Sequence, residues 1–467
     1  MGEAKRLNLD HSVNESNDSV VKFKYYVKIS VFQGLFSLED NYCSQKQLIV
    51  TPGDKILKTL MLMITISFLS SAELYGISKI RFDAFPDYDT HLKTVLPDYH
   101  KSQKTVKVDF LMNNHADHHT KLTNNLATGS GAGDVVAVDI SRLGSFVDAG
   151  GFVNLDQAPY NSQSLEKYFP AYAWSQGKGS DGNQYAIPAD LGPGVMYFRR
   201  DHLKASNLTV EQVNKNWETF LQWGRQLKKK KIALIADAED IALLMIYAGV
   251  ESGEGIYFDA SGKSLLTSPR FIDAVTMAQK IRQEGLDLNI RSWTNEWYQV
   301  LKDGKVGTQL SGAWLLGHLQ NWIAPDGAGK WGVAELPNKL YGSWGGSFLC
   351  ITKQSKSPEA AWEFIKYMVS PATQKQGLQN IAAFPARVDT YNDKVFQEKI
   401  PYLKGQQARL LFAEVAKKIK PIKPFKGDAI ARTIFLNALE EAVDQNRDAK
   451  EVLAEAESLL KRRVRRL

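Results

Sequence analysis

At 467 residues the chain is too long for one small core and points to two domains. Its 44% hydrophobic and 23% charged content is that of an ordinary soluble globular protein. The formal charge of +7 comes from 58 basic against 51 acidic residues, a mixed surface that argues against a nucleic-acid partner. The one dense basic run, Lys461-Arg462-Arg463-Val464-Arg465-Arg466, reads as a solvated helix end whose cations complement the macrodipole.

In chain order, residues 1–54 lack periodicity and read as an upstream extension outside the fold. An export signal follows at residues 55–72: a basic Lys55-Ile56-Leu57-Lys58, an apolar run from Thr59 to Leu69, then the small residues Ser70-Ser71-Ala72. The apolar run is shorter than the roughly 20 residues that span a membrane. Cys43 lies upstream of the signal, so the exported chain keeps Cys350 alone, in an apolar strand where a small core residue is expected.

Residues 77–85 and 105–111 alternate apolar and polar side chains as half-buried strands do, with a helix over His91 to Lys101 between them. A helix from Asn114 to Ala127 leads through the glycine-rich GSGAG to a strand over Asp134 to Val138. Helices alternating with strands indicate a parallel α/β sheet. Short extended pieces at Tyr185–Pro188 and Val195–Phe198 flank a Gly192-Pro193-Gly194 turn, placed as the first crossing between lobes. A helix over Trp217 to Lys228 ends in four lysines, and Ile232 to Ala236 reads as a strand. Ser268-Pro269 and Ser357-Pro358-Glu359 are helix starts, and Asp448 with Glu451 resembles a capping box. Strands over Val306–Leu310 and Gly332–Leu336 precede a Trp344-Gly345-Gly346 turn that feeds a strand from Ser347 to Ile351.

Chemistry candidates are few. His115 and His119 have a zinc-compatible i, i+4 spacing, but no third ligand accompanies them, and a solvated helix face is the expectation. Neither a P-loop nor a GxSxG elbow is present. Asp237, Glu239 and Asp240 crowd a strand end, where they cap a helix or accept hydroxyl hydrogen bonds. Aromatics are the stronger clue. Trp174, Tyr185, Trp293, Trp297, Trp314, Trp322, Trp331 and Trp344 fall near loop and strand boundaries, where indoles can pack on the C–H faces of sugar rings while Asp, Asn and Arg take the hydroxyls. Trp217, Trp331 and Trp362 are expected in the core; Trp314 and Trp344, each beside glycine, are expected at the ligand.

Several segments together resemble the family 1 extracellular solute-binding proteins of ABC importers: GDVVAVDISRLGSFVDAGGFVNLD, DGNQYAIPADLGPGVMYFRRD, NWETFLQWGRQLKKK, the opening strand, and the FPAR of Phe384 to Arg387. The resemblance implies an α/β, two-lobed periplasmic binding protein-like (type II) fold with a hinge between lobes. It puts one lobe at residues 77–190 plus 345–386 and the other at 191–344 plus 387–467. It assigns Trp314 to ring stacking, Ser141 and Arg142 to hydroxyl contacts after the DVV strand, Asp237 and Asp240 to the second lobe's share, and Trp344 and Gly345 to a crossover facing the cleft. Asp87, Asp139, Asp190 and Arg387 complete the candidate ligand set. The chain departs from the maltose-binding member at Val138 and across Gly427-Asp428-Ala429-Ile430, where that member carries aromatics, so a different or smaller sugar is expected.

The resulting expectation is a monomeric, non-enzymatic periplasmic protein that captures a carbohydrate and delivers it to the permease subunits of an ABC importer, with no cofactor and no metal. The alternatives are a non-sugar solute such as a polyamine or polyol, and a secreted carbohydrate-active enzyme using Asp237 and Asp240. Iron capture is disfavoured because the only adjacent tyrosines, Tyr25-Tyr26, precede the signal.

Overall fold

The computed structural model describes residues 77–464, so the extension, the export signal, Cys43 and the last three residues lie outside it. A sheet of seven strands organises the described chain: β1 (Ser78–Ala84), β2 (Val106–Met112), β3 (Val135–Asp139), β4 (Ile187–Arg199), β5 (Thr308–Gly312), β6 (Trp331–Ala334) and β7 (Ser343–Ile351). The spatial order is β2-β1-β3-β7-β4-β5, and β6 also pairs with β4. β1 runs parallel to β2 and β3, while β7 is antiparallel to both β3 and β4.

The helices between the parallel strands start where their sequence dictates. The Asn114 side chain accepts from the Asp117 backbone N–H at 2.8 Å, and Gly129 ends that helix in the left-handed region at φ 74°. Pro269 and Pro358 open their helices at the first position, where a missing N–H is harmless. Asp448 accepts from the Glu451 N–H at 3.0 Å at the start of the last helix.

Two predicted turns are instead strand. Gly192-Pro193-Gly194 lies inside the 13-residue β4, which keeps its partners on both sides at the cost of register shifts between Pro188 and Asp190 and between Leu191 and Pro193. Trp344-Gly345-Gly346 lies inside β7, with φ 78° and 116° at the two glycines. The glycines serve a close approach of strands and not a reversal. The strand expected at Ile232 to Ala236 is reduced to isolated bridges at Ala233 and Ile235. β5 lies two residues beyond its predicted span.

β4 and β7 are therefore two long strands that pass together from one side of the molecule to the other. At one end, Ile187–Leu191 and Ser347–Ile351 join β3 and β1; at the other, Val195–Phe198 pairs with β5 and β6. On the β1 side, Phe82, Val135, Leu349 and Phe364 are buried together. On the β5 side, a separate cluster gathers Phe220, Trp223, Leu234, Ile241, Phe271, Phe435 and Leu453. A third, smaller cluster holds Val138, Phe146, Phe348 and Cys350, where burial pushes the Cys350 thiol up. Trp217, Trp331 and Trp362 are core residues, and so are Trp174 and Trp297.

Candidate functional site

The carboxyl ends of β3 and β5, at Asp139 and Gly312, lie beside Ser347 of β7 and Gly194 of β4, and the ends of strands in an α/β sheet are where ligands settle. Three glycines make the crossing tight. A Cβ at Gly192 would overlap the Trp344 carbonyl, one at Gly312 would overlap both that carbonyl and the Trp314 indole, and one at Gly345 would stand 2.7 Å from Trp314 Nε1. Into this space Trp314 donates its Nε1–H to the Trp344 carbonyl at 2.7 Å.

Above Trp314 lies an aromatic stack. Trp293 stacks on it at 5.3 Å with planes 23° apart, and His318 meets both rings edge-on at 5.3 and 5.6 Å. Trp322 continues outward, 5.6 Å from His318 and 4.8 Å from Tyr298. Trp293 and Trp322 are 48% and 45% exposed, unusual for the largest apolar side chain and a mark of a binding surface. Trp344 packs on Tyr247 at 5.8 Å instead of joining the stack.

Facing the stack from the β1 side is a row of acids and a histidine. The Asp87 Oδ2 stands 3.2 Å from His318 Nδ1, the same nitrogen that the Trp322 indole approaches at 3.1 Å, so the imidazole can serve only one of them at a time. Burial raises the Asp87 carboxyl and lowers the His318 imidazole, so the pair tends toward neutral partners and not toward an ion pair. Asp139 accepts from the Ser141 N–H at 2.8 Å; burial works against its charge, but His115 at 3.6 Å and Ser141 hold it down at about 2. Asp190, in the middle of β4, is pushed up to about 6 by burial and by Asp139, while Ser347 and the Tyr88 hydroxyl at 3.4 Å oppose the rise.

Of the residues singled out in the sequence, Asp87, Asp139, Asp190, Trp314 and Gly345 converge here. Ser141 and Arg142 are exposed on the first turn of the helix after Asp139. Asp240 lies behind the Trp293 loop, accepting from Ser292 Oγ at 2.9 Å and Gln309 Nε2 at 3.1 Å, and burial lifts it to about 7. Two others are committed elsewhere. Asp237 is buried, caps its helix through the Glu239 N–H, and pairs with Arg282, which also binds Asp287. Arg387 lies buried over the Tyr168 ring at 3.9 Å with both arms on Asp389.

The histidine helix differs from a solvated face. His118 and His119 are buried, with His118 Nε2 on the Ala137 carbonyl and His119 Nε2 accepting the Asp139 N–H, and burial lowers His119 to about 4. Only His115 is half exposed, with its ring parallel to Trp293. Among the described residues no group of three or more potential ligands is placed to hold a metal. Sequence reasoning weighed His115 only as a metal ligand, kept Trp293 as one boundary aromatic among several while preferring Trp314 and Trp344, and gave Asp428 no role. Asp428, whose Oδ1 has no hydrogen-bond partner, is raised to about 7 by burial. Trp293 follows a serine with no glycine beside it, so the pattern that picked out Trp314 could not find it.

Comparison with known proteins places this architecture. Residues 96–401 match a family model described as bacterial extracellular solute-binding protein. An arabinooligosaccharide-binding protein of Halalkalibacterium halodurans is 23% identical over 362 residues, covering 73% of this chain and 79% of that protein. A lactose-binding protein of Rhizobium radiobacter is 24% identical, covering 57% of this chain and 63% of its own length. Among solved structures, an ABC transporter associated binding protein from B. animalis subsp. lactis in complex with β-1,6-galactobiose has a TM-score of 0.69 at 24% identity, over 82% of this chain and 97% of that one. A sugar-binding protein of the phytopathogen Xanthomonas citri has a TM-score of 0.65 at 22% identity, over 83% and 98% of the two chains. These likenesses show a two-lobed periplasmic binding protein fold.

Proposed function

The chain belongs to the bacterial extracellular solute-binding proteins, and from that premise we propose that it captures a carbohydrate between two lobes and hands it to an ABC importer. The observation that carries the reading is the pairing of an exposed tryptophan stack with facing carboxylates at the strand crossing. Indole faces receive the C–H faces of a sugar, and Asp87, Asp139 and Asp190 accept its hydroxyl protons. Asp237 and Arg387 are left out of the ligand set because their charges are already paired inside the protein.

The lobes are residues 77–190 plus 345–386 and residues 191–344 plus 387–467, with β4 and β7 as the hinge connections. Ligand bridging the lobes stabilises the closed form only by its greater affinity for that form. The closed, loaded protein is the species the permease engages, outside the cytoplasmic membrane, and residues 55–72 provide export. Binding is the whole of its task. Asp237 is held by a helix N-terminus and Arg282, so it is not available as half of a hydrolytic carboxylate pair with Asp240.

A thermal-shift screen of mono- and oligosaccharides, polyols and polyamines tests this. A ligand at 100 times its Kd adds about 2.7 kcal/mol of stability. Stabilisation confined to polyamines, whose ammonium groups also suit carboxylates and indole faces, would overturn the carbohydrate reading, and release of free sugar from a glycoside would overturn the binder.

A further inference from the structure

Trp293 combines three features that seldom meet in one residue. Its backbone sits in the left-handed region at φ 72°, a strained place for a bulky side chain and one that clusters at ligand clamps. It is 48% exposed. Its ring lies within 3° of parallel to the imidazole of His115, which belongs to the opposite side of the crossing, with centroids 6.5 Å apart. Behind it, Trp314 supplies a stacked support that is itself fixed to the Trp344 carbonyl.

We propose that Trp293 and His115 form a two-sided clamp for one pyranose-sized ring, which deepens the carbohydrate reading and rests on it. A ring between two parallel aromatic planes needs about 7–8 Å, twice the atom-to-atom separation at which dispersion is optimal, so the pair opens to admit it. The indole takes an apolar C–H face. The imidazole offers the second flat face, and its Nε2, 3.6 Å from Asp139 Oδ2, anchors it to that carboxylate. Because the two aromatics come from opposite sides of the crossing, the bound ring ties the sides together, and the clamp couples capture to closure. Trp314 is then a positioning residue, and Trp293 is the one that touches ligand.

Calorimetric titration of the wild type, Trp293→Gly, Trp293→Leu, His115→Ala and Trp322→Ala with lactose, β-1,6-galactobiose, arabinotriose, xylotriose and maltotriose tests the clamp. For whichever sugar binds the wild type, Trp293→Gly, which suits the left-handed backbone, weakens binding at least about thirtyfold, as removal of a buried aromatic anchor does. His115→Ala weakens it about fivefold to tenfold, and Trp322→Ala, at the outer end of the same stack, weakens it less than Trp293→Gly does. Trp293→Leu is read in place of the glycine variant if that one does not fold. Binding within about threefold of wild type in a folded Trp293 variant sinks the clamp and leaves the carbohydrate reading standing. A wild type that binds none of the five sinks both.

Discussion

The strand crossing and the cleft rim use the same residue types in opposite ways. At the crossing, Gly192, Gly312 and Gly345 pack against the indole of Trp314 and the carbonyl of Trp344, leaving no room for a single added carbon. At the rim, a few ångströms along the same stack, Trp293 and Trp322 stand half exposed, and the His318 Nδ1 is shared between Asp87 and Trp322. The crossing is over-determined and the rim under-determined. A hinge needs fixed strands with free ends, and a ligand needs groups whose partners it can replace.

Four perturbations would break or sharpen that contrast. The largest effect is expected for Gly192→Val, which forces side-chain atoms onto the Trp344 carbonyl and should destabilise by about 3 kcal/mol in urea unfolding; a loss under about 1 kcal/mol would show the crossing to be looser than its geometry. Trp314→Phe keeps the ring but leaves the Trp344 carbonyl without its donor, and about 1–2 kcal/mol of stability should go with it by the same measurement.

Asp190 lies at the crossing beside Tyr88, Ser347 and Asp139, and its pH response separates the two regions. Its folded pKa of about 6 lies above the ordinary 3.8, so the folded state holds the proton more tightly than the unfolded state does. The contribution is present at low pH and is lost as pH rises from about 4 to about 6, at a slope of up to about 1.4 kcal/mol per pH unit, lessened by solvent in the cleft. Asp190→Asn should remove that slope from a pH series of unfolding curves. The smallest effect belongs to the rim: Asp87→Asn should change stability by no more than about 0.5 kcal/mol, since burial has already moved both it and His318 toward their neutral forms.

Local signals in the sequence located helices well. Asn114, Ser268-Pro269, Ser357-Pro358 and Asp448 each mark a helix start in the structure, because capping and proline geometry act within one turn. The glycine-rich segments misled, for a physical reason. Gly192-Pro193-Gly194 and Trp344-Gly345-Gly346 have the composition of turns, but composition cannot say whether a glycine reverses the chain or lets a second strand pass close by. The histidine cluster misled in the same manner: helical spacing puts His115 and His119 on one face, and only the packing of β3 against that helix buries His118 and His119, on the Ala137 carbonyl and the Asp139 N–H, while leaving His115 half exposed. Asp237 and Asp240 are three residues apart in one motif, yet Arg282 claims the first and Ser292 with Gln309 the second, partners 45 to 69 positions distant.

By itself, then, the sequence determined the α/β class, the helix starts, the core places of Trp217, Trp331 and Trp362 (though not those of Trp174 and Trp297), and the glycine-tryptophan segment as a place where backbones and rings meet. Those properties follow from periodicity, capping and residue volume, which are local. The tertiary structure alone decided that β4 and β7 run on as continuous strands, that Trp314 is held by the Trp344 carbonyl while Trp293 stands half exposed, and that His115 is the histidine left exposed beside it. Each of these depends on which distant segment arrives beside a residue, and no short-range rule specifies that.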